Sequence, residues 1–207
     1  LEVQKHAQKG RDIILIGHKG HPEVIGTLGR HPSNSNTKIY LVENNDDIKK
    51  LEISSSEVAY VTQTTLSVDE TRELINSLKE KFPGIIGPSA DDICYATQNR
   101  QDAVKQLSLE CQIVLVIGSQ TSSNSNRLKE LAEKCGTKSF LIDDKTDIDL
   151  NSLKDATSVG ITAGASAPEE IVQEVISFLV PLGFKTVRNL SENNENMTFK
   201  LPKELTS

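Results

Sequence analysis

The chain has 207 residues, 36% hydrophobic and 25% charged, with a formal net charge of −6. That size allows one large domain or two of about 100 residues. The acidic balance argues against a general nucleic-acid or membrane-surface binder, and no apolar run approaches the ~20 residues a membrane span needs.

Leu1-Glu2-Val3-Gln4-Lys5-His6-Ala7 reads as the tail of a helix already begun, so the expectation is a fragment whose upstream part is absent. Ile13-Ile14-Leu15-Ile16-Gly17 is a continuous apolar run of the kind found in a parallel strand buried on both faces. The loop His18-Lys19-Gly20-His21 follows, then a short helix with Pro22 at its first position. Ile39 to Val42 is the second strand, with a helical piece around Asp46 to Leu51. Val58 to Val61 is the third strand. Ser67-Val68-Asp69-Glu70 is a capping box opening an amphipathic helix to Phe82, and Ile85-Ile86 reads as a brief fourth strand.

Asp91-Asp92-Ile93-Cys94-Tyr95-Ala96-Thr97-Gln98-Asn99-Arg100 reads as a hinge, leading into a helix over Thr97 to Leu109. After it the cycle restarts. Ile113 to Gly118 is a strand, and the loop Ser119 to Asn126 leads to a helix over Arg127 to Lys134. Phe140 to Ile142 and Ser158 to Ile161 are strands, and a last helix starts near Pro168 and runs to Val180. The halves align at a period of about 100 residues, which means duplicated domains and not a solenoid. The expected fold is α/β, with two related parallel-sheet domains over 1–90 and 91–184 and a C-terminal tail over 185–207 carrying a weak strand (Met197 to Leu201). In such sheets ligands collect at the carboxyl ends of the strands, where the polar loops lie.

Each loop carries residues with two readings. Cys94 sits in a polar setting ahead of a helix, as a thiolate ligand or nucleophile would, or as a small residue at a domain joint. Ser122-Ser123-Asn124 at a helix start suits an anion, because free N–H groups and the helix dipole face it, but the same residues are favoured caps. Ser166-Ala167-Pro168-Glu169 reads as a capping box. Thr64 and Thr65 lie ahead of the capping Ser67 and are free for other work. His21 and Glu23 form either a cationic anchor with a proton relay, or a helix start with its favoured acid. Cys111 and Cys135 fall on the opposite edge of the sheets. One cysteine cannot hold an iron–sulfur cluster by itself. With no regular spacing among the three, the cysteines suggest a reducing compartment without a disulfide framework.

Five blocks then carry a resemblance: Ile16-Gly17-His18-Lys19-Gly20-His21-Pro22-Glu23-Val24, Thr62-Gln63-Thr64-Thr65-Leu66-Ser67-Val68, Asp91-Asp92-Ile93-Cys94-Tyr95-Ala96-Thr97, Ser122-Ser123-Asn124-Ser125-Asn126-Arg127 and Thr162-Ala163-Gly164-Ala165-Ser166-Ala167-Pro168. Together and in this order, the chain resembles the LytB-type (E)-4-hydroxy-3-methylbut-2-enyl diphosphate reductases of the non-mevalonate isoprenoid pathway. The resemblance implies a three-lobed trefoil around a [4Fe–4S] cluster, of which this chain carries the second and third lobes, the first being absent. It implies reductive dehydroxylation of the diphosphate substrate to isopentenyl and dimethylallyl diphosphate, with ferredoxin or flavodoxin as electron donor. It implies Cys94 as one cluster ligand, the other cysteine ligands lying outside this chain. It implies Glu23 as the proton donor, Thr64 as a hydrogen-bonding residue near the substrate alcohol with Thr65 beside it, and His21, Ser122, Ser123, Asn124 and Ser166 as donors to the diphosphate. The expected setting is cytoplasmic, or a plastid-type stroma, with no nucleic-acid or membrane partner. The rivals are a two-domain, non-redox binding module for a phosphorylated metabolite and a nucleotide-dependent enzyme. The second lacks any G-x-G-x-x-G or Walker pattern.

Overall fold

A computed structural model describes residues 2–88 and 93–190. In chain order it holds α1 (Glu2–Gln8), β1 (Asp12–Ile16), α2 (Pro22–Leu28), β2 (Ile39–Val42), α3 (Asn45–Lys50), β3 (Val58–Thr62) and α4 (Val68–Lys81). The second half holds α5 (Tyr95–Glu110), β4 (Ile113–Ile117), α6 (Ser123–Lys134), β5 (Lys138–Ile142), α7 (Leu150–Leu153), β6 (Val159–Ala163) and α8 (Glu169–Leu179). The two halves make separate three-stranded parallel sheets in the same order, β2-β1-β3 and β5-β4-β6. The repeat read in the sequence is therefore a repeat of topology.

The middle strands explain the order. Every residue of β1 and of β4 is buried, because each strand has a neighbour on both edges and helices on both faces. Period-two alternation divides β1: Ile14 and Ile16 pack with Leu74 and Leu78 of α4, while Ile13 and Leu15 pack with Val3 of α1 and Val24 of α2. In the second half Val114 and Val116 meet Val104 of α5 and Leu128 of α6, and Leu115 and Ile117 meet Val175 and Leu179 of α8. Each such fully buried aliphatic side chain contributes about 1.5–3 kcal/mol relative to exposure.

In both sheets the chain leaves the middle strand by a helix on one face and leaves the outer strand β3 or β6 by a helix on the other. The gap between those two strand ends is the place where ligands bind in open parallel sheets. Helix α5 ties the halves together. It packs on the second sheet through Val104 and Leu107, and the buried Gln101 side chain donates to the carbonyl of Leu66 at 2.8 Å and accepts from the amide of Val68 at 3.0 Å.

Four sequence expectations need correction. The helix expected from Arg127 begins at Ser123, because the Ser122 hydroxyl caps it by accepting from the amide of Ser125. The loop Ser119 to Asn126 thus becomes loop plus a full first turn. The capping box at Ser166 does not form: Pro168 occupies the cap of α8 and makes no side-chain cap bond, because the chain turns at Gly164–Ala167 before the helix starts. Ile85-Ile86 is no strand but a single parallel bridge between Ile86 and Ala59, flanked by Pro83 and by Pro88, which has no N–H to continue a ladder. The hinge helix starts at Tyr95, two residues before the expected Thr97. The weak strand at Met197 to Leu201 and the hinge residues Asp91 and Asp92 lie outside the described residues.

Candidate functional site

The crevice between β1 and β3 brings Glu23 and Thr64 together. Gly17 ends β1 with no side chain, because the methyl of Val24 and the buried Gln63 fill the space a Cβ would need. The loop that follows carries His21, whose Nδ1 accepts from the amide of Glu23 at 3.2 Å and so caps α2. With Nδ1 accepting, the imidazole holds its proton on Nε2. Its Nε2–H is then the donor left over for a ligand. Glu23, in the first turn of α2, accepts from the Thr64 amide at 3.0 Å on one carboxylate oxygen and from the Thr64 hydroxyl at 3.1 Å on the other.

Thr64 also receives the hinge: its carbonyl accepts from the amide of Cys94 at 3.1 Å. Cys94 is exposed and sits at the N-cap of α5, but its side chain makes no capping bond. The backbone of Cys94 is thus held against Thr64, and among the described residues its thiol is in no disulfide and makes no capping bond. Cys111 and Cys135 stand at the C-caps of α5 and α6. A helix the length of α5 spans about 24 Å at ~1.5 Å per residue, so neither shares the site. Burial pushes the Cys111 thiol up from its ordinary range.

Gln63 joins this centre to the second half. It is 1% exposed. Its Oε1 accepts from the amide of His18 at 3.1 Å, and its Nε2 donates to the Thr65 hydroxyl at 3.0 Å and reaches Ser123 Oγ at 3.5 Å. Thr65 Oγ1 in turn donates to Ser123 Oγ at 3.1 Å. A second link runs from Arg127 on α6, whose Nη2 lies 2.9 Å from His18 Nε2. A guanidinium can only donate, so that nitrogen accepts. Burial, and then the Arg127 charge, hold His18 below its ordinary pKa.

At the start of α6, Ser122 is the cap, Ser123 faces Thr65, and Asn124 is 7% exposed with no hydrogen-bond partner for either amide atom among the described residues. An unsatisfied buried amide costs about 1–3 kcal/mol. Ser166, on the loop after β6, is exposed and makes no side-chain hydrogen bond with the described residues. The geometry thus joins His21, Glu23, Thr64 and Cys94 in one hydrogen-bonded group and Gln63, Thr65 and Ser123 in a second, the two continuous along the chain at residues 63–65, with Ser122 and Asn124 as chain neighbours of Ser123. Ser166 stays apart. A cleft of about 280 Å³, lined by Ile16, Gly17, His18, Glu43, Leu66 and Glu70, lies beside these strand-end loops on the α3–α4 face of the first sheet.

A profile of the family described as LytB protein matches residues 1–180. The chain belongs to the LytB family. It is 54% identical over 206 residues to the 4-hydroxy-3-methylbut-2-enyl diphosphate reductase of Saccharophagus degradans and 53% identical to that of Alcanivorax borkumensis, covering 99% of this chain and 66% of each relative. Among solved structures it superposes on the E-1-hydroxy-2-methyl-but-2-enyl-4-diphosphate reductase from Plasmodium falciparum with a TM-score of 0.89 at 36% identity, covering 98% of this chain and 64% of that one. The chain thus spans just under two thirds of the length of the LytB relatives it matches.

Gln63, His18 and Arg127 lie within the sequence blocks that resemble this family, yet sequence reasoning gave none of them a role, and it gave Ser125 none beyond membership of the polar loop Ser119 to Asn126. Gln63 had a signal. It follows Ala59 and Val61 on the same face of β3, and all three are buried; a polar residue in that register must find partners inside. Arg127 and His18 carried no such signal, since their contact spans the two sheets.

Proposed function

We propose that the complete protein containing this chain is an iron–sulfur-dependent oxidoreductase that removes the hydroxyl of 4-hydroxy-3-methylbut-2-enyl diphosphate in isoprenoid biosynthesis. Two electrons and two protons enter, the allylic C–O bond breaks, water leaves, and a C–H bond forms, giving isopentenyl or dimethylallyl diphosphate. The observation that carries this reading is the Glu23 carboxylate held by both donors of Thr64, with the Cys94 amide on the Thr64 carbonyl. A carboxyl group and a hydroxyl then meet at one strand end, with the Cys94 backbone against them, which supports a thiolate ligand there.

An exposed thiol without a capping bond fits one ligand of a [4Fe–4S] cluster, and Cys111 and Cys135 stand too far off to be others. The remaining thiolates then come from outside these 207 residues. When bound, the cluster supplies electrons and an open iron that acts as Lewis acid on the allylic oxygen. Glu23 is the proton source for the leaving hydroxyl, and Thr64 fixes the orientation of its carboxyl group. The Nε2–H of His21, the hydroxyls of Ser122, Ser123 and Ser166, and the unpartnered amide of Asn124 are donors for the diphosphate. Thr65 positions Ser123. Anchoring the diphosphate holds the distant alcohol against Glu23, which lowers the entropic part of the barrier.

On this reading residues 1–90 and 91–184 are the second and third lobes of the trefoil, ferredoxin or flavodoxin delivers the electrons, and the protein works in the cytoplasm or a plastid-type stroma. Iron and acid-labile sulfide measured on the complete protein prepared without oxygen, together with turnover of the substrate, test it. The expected result is a cluster and activity in the complete protein, with Glu23→Gln retaining cluster and substrate binding while turnover falls at least a hundredfold, the scale of general acid catalysis. Iron-free protein that still binds the diphosphate favours the non-redox binding module instead.

A further inference from the structure

The crevice of the second sheet, between the ends of β4 and β6, contains one buried hydroxyl to which the reading above gives no role. Ser125 is 1% exposed. A methyl group at Gly118 or at Gly164, the residues that follow β4 and β6, would overlap the Ser125 hydroxyl. Two strand ends without side chains thus form a slot into which the first turn of α6 drops.

Within that slot Ser125 directs both of its donors at one atom. Its amide donates to Ser122 Oγ at 3.3 Å, and its hydroxyl donates to the same oxygen at 3.0 Å. A serine oxygen has two acceptor lone pairs and one proton. With both lone pairs occupied by Ser125, the Ser122 hydroxyl can only donate. An anion accepts and never donates, so this wiring suits Ser122 to a phosphate and excludes the rotamer in which its proton points inward. The adjacent Asn124 amide, buried and without a partner among the described residues, is an independent sign that a ligand completes this helix start.

We infer that Ser125 is a positioning residue that, clamped between Gly118 and Gly164, fixes the Ser122 hydroxyl as an obligate donor to the terminal anion of the substrate; the inference rests on the diphosphate reading above.

The test is a double-mutant cycle in the complete protein with Ser122→Ala, Ser125→Ala and the pair, reading KM, kcat, the inhibition constant of inorganic pyrophosphate and the melting temperature. Alanine is smaller than serine, so it enters the slot. The expected result for Ser125→Ala is a KM and a pyrophosphate inhibition constant raised about tenfold, the scale of one hydrogen bond to a charged group, with kcat within about twofold. The pair should bind no more weakly than Ser122→Ala alone, because both changes remove the same donor. A Ser125→Ala protein that binds pyrophosphate like wild type, or effects that add in the pair, overturns the inference while leaving the diphosphate reading standing. Wild-type protein that neither turns over the substrate nor is inhibited by pyrophosphate overturns both.

Discussion

At the scale of single residues, the Glu23 carboxylate accepts from the amide and the hydroxyl of Thr64 on opposite oxygens. Each oxygen keeps a lone pair for a ligand. The amide bond is fixed by the backbone after β3, so the hydroxyl is the part a mutation can remove. Thr64→Val is close to isosteric and deletes it. In the complete protein, turnover is expected to fall about tenfold or more, the value of a hydrogen bond to a charged group, and Thr64→Ser is expected to restore most of the loss. Steady-state rates on the two variants check this, and a valine variant as active as wild type would show that the hydroxyl is not needed to orient the Glu23 carboxyl group. His21 shows the same economy of partners: one nitrogen caps α2 through the amide of Glu23, and the other is left to donate.

At the scale of elements, helix α6 reaches the site because two glycines let it approach the strand ends. The chain at Gly164 has no room for a Cβ against Ser125, and its amide donates to the carbonyl of Ile117 at 2.8 Å, closing the second sheet at that point. Gly164→Ala is expected to destabilise by about 1–3 kcal/mol, the usual cost of overpacking. Since the Ser125 hydroxyl is the nearest atom to the added methyl and the Ser125 Cβ stands 3.6 Å away, removing that hydroxyl makes room. In a Ser125→Ala background the penalty should therefore shrink to well under half. Urea denaturation of the four proteins reads it directly, and an unchanged penalty would mean that the backbone, not the slot, resists the substitution.

At the scale of the whole molecule, among the described residues the two sheets meet through polar and ionic contacts and not through a shared apolar core: the apolar clusters each belong to one half. Arg127 and Lys134 of α6 both pair with Glu70 of α4, and Arg127 also meets His18. Burial and the neighbouring guanidinium hold His18 below its ordinary value of 6.5, and burial does the same to His6. A histidine depressed in the folded state is protonated first in the unfolded chain. Its contribution to stability is therefore complete above about pH 6.5 and is lost as the pH falls towards the folded value. Hydrogen bonds from Thr146 and Ser152 hold Asp144 and Asp149 below 3.8, so their losses begin only in stronger acid. The melting temperature is expected to drop between about pH 7.5 and about 5, and His18→Asn should flatten part of that drop. Thermal scans across this range check it; a His18→Asn protein with the full acid slope would assign the loss elsewhere.

The sequence by itself determined the strands, their parallel pairing and the duplication. Unbroken apolar runs such as Ile13 to Ile16 and Ile113 to Ile117 can be satisfied only where both faces and both edges are covered. It also brought Glu23, Thr64, Cys94 and the Ser122 turn to the strand ends, since loops in a parallel sheet have fixed sides. Only the tertiary structure decided which polar group serves which partner. Ser122 caps and Ser166 does not, Gln63 spans two sheets, and Ser125 fills a slot made by glycines from two different strands. Serine, threonine and asparagine can each cap a helix, bond a neighbour or bind an anion at nearly equal cost, so local sequence leaves these choices degenerate. Contacts between residues far apart in the chain break the tie.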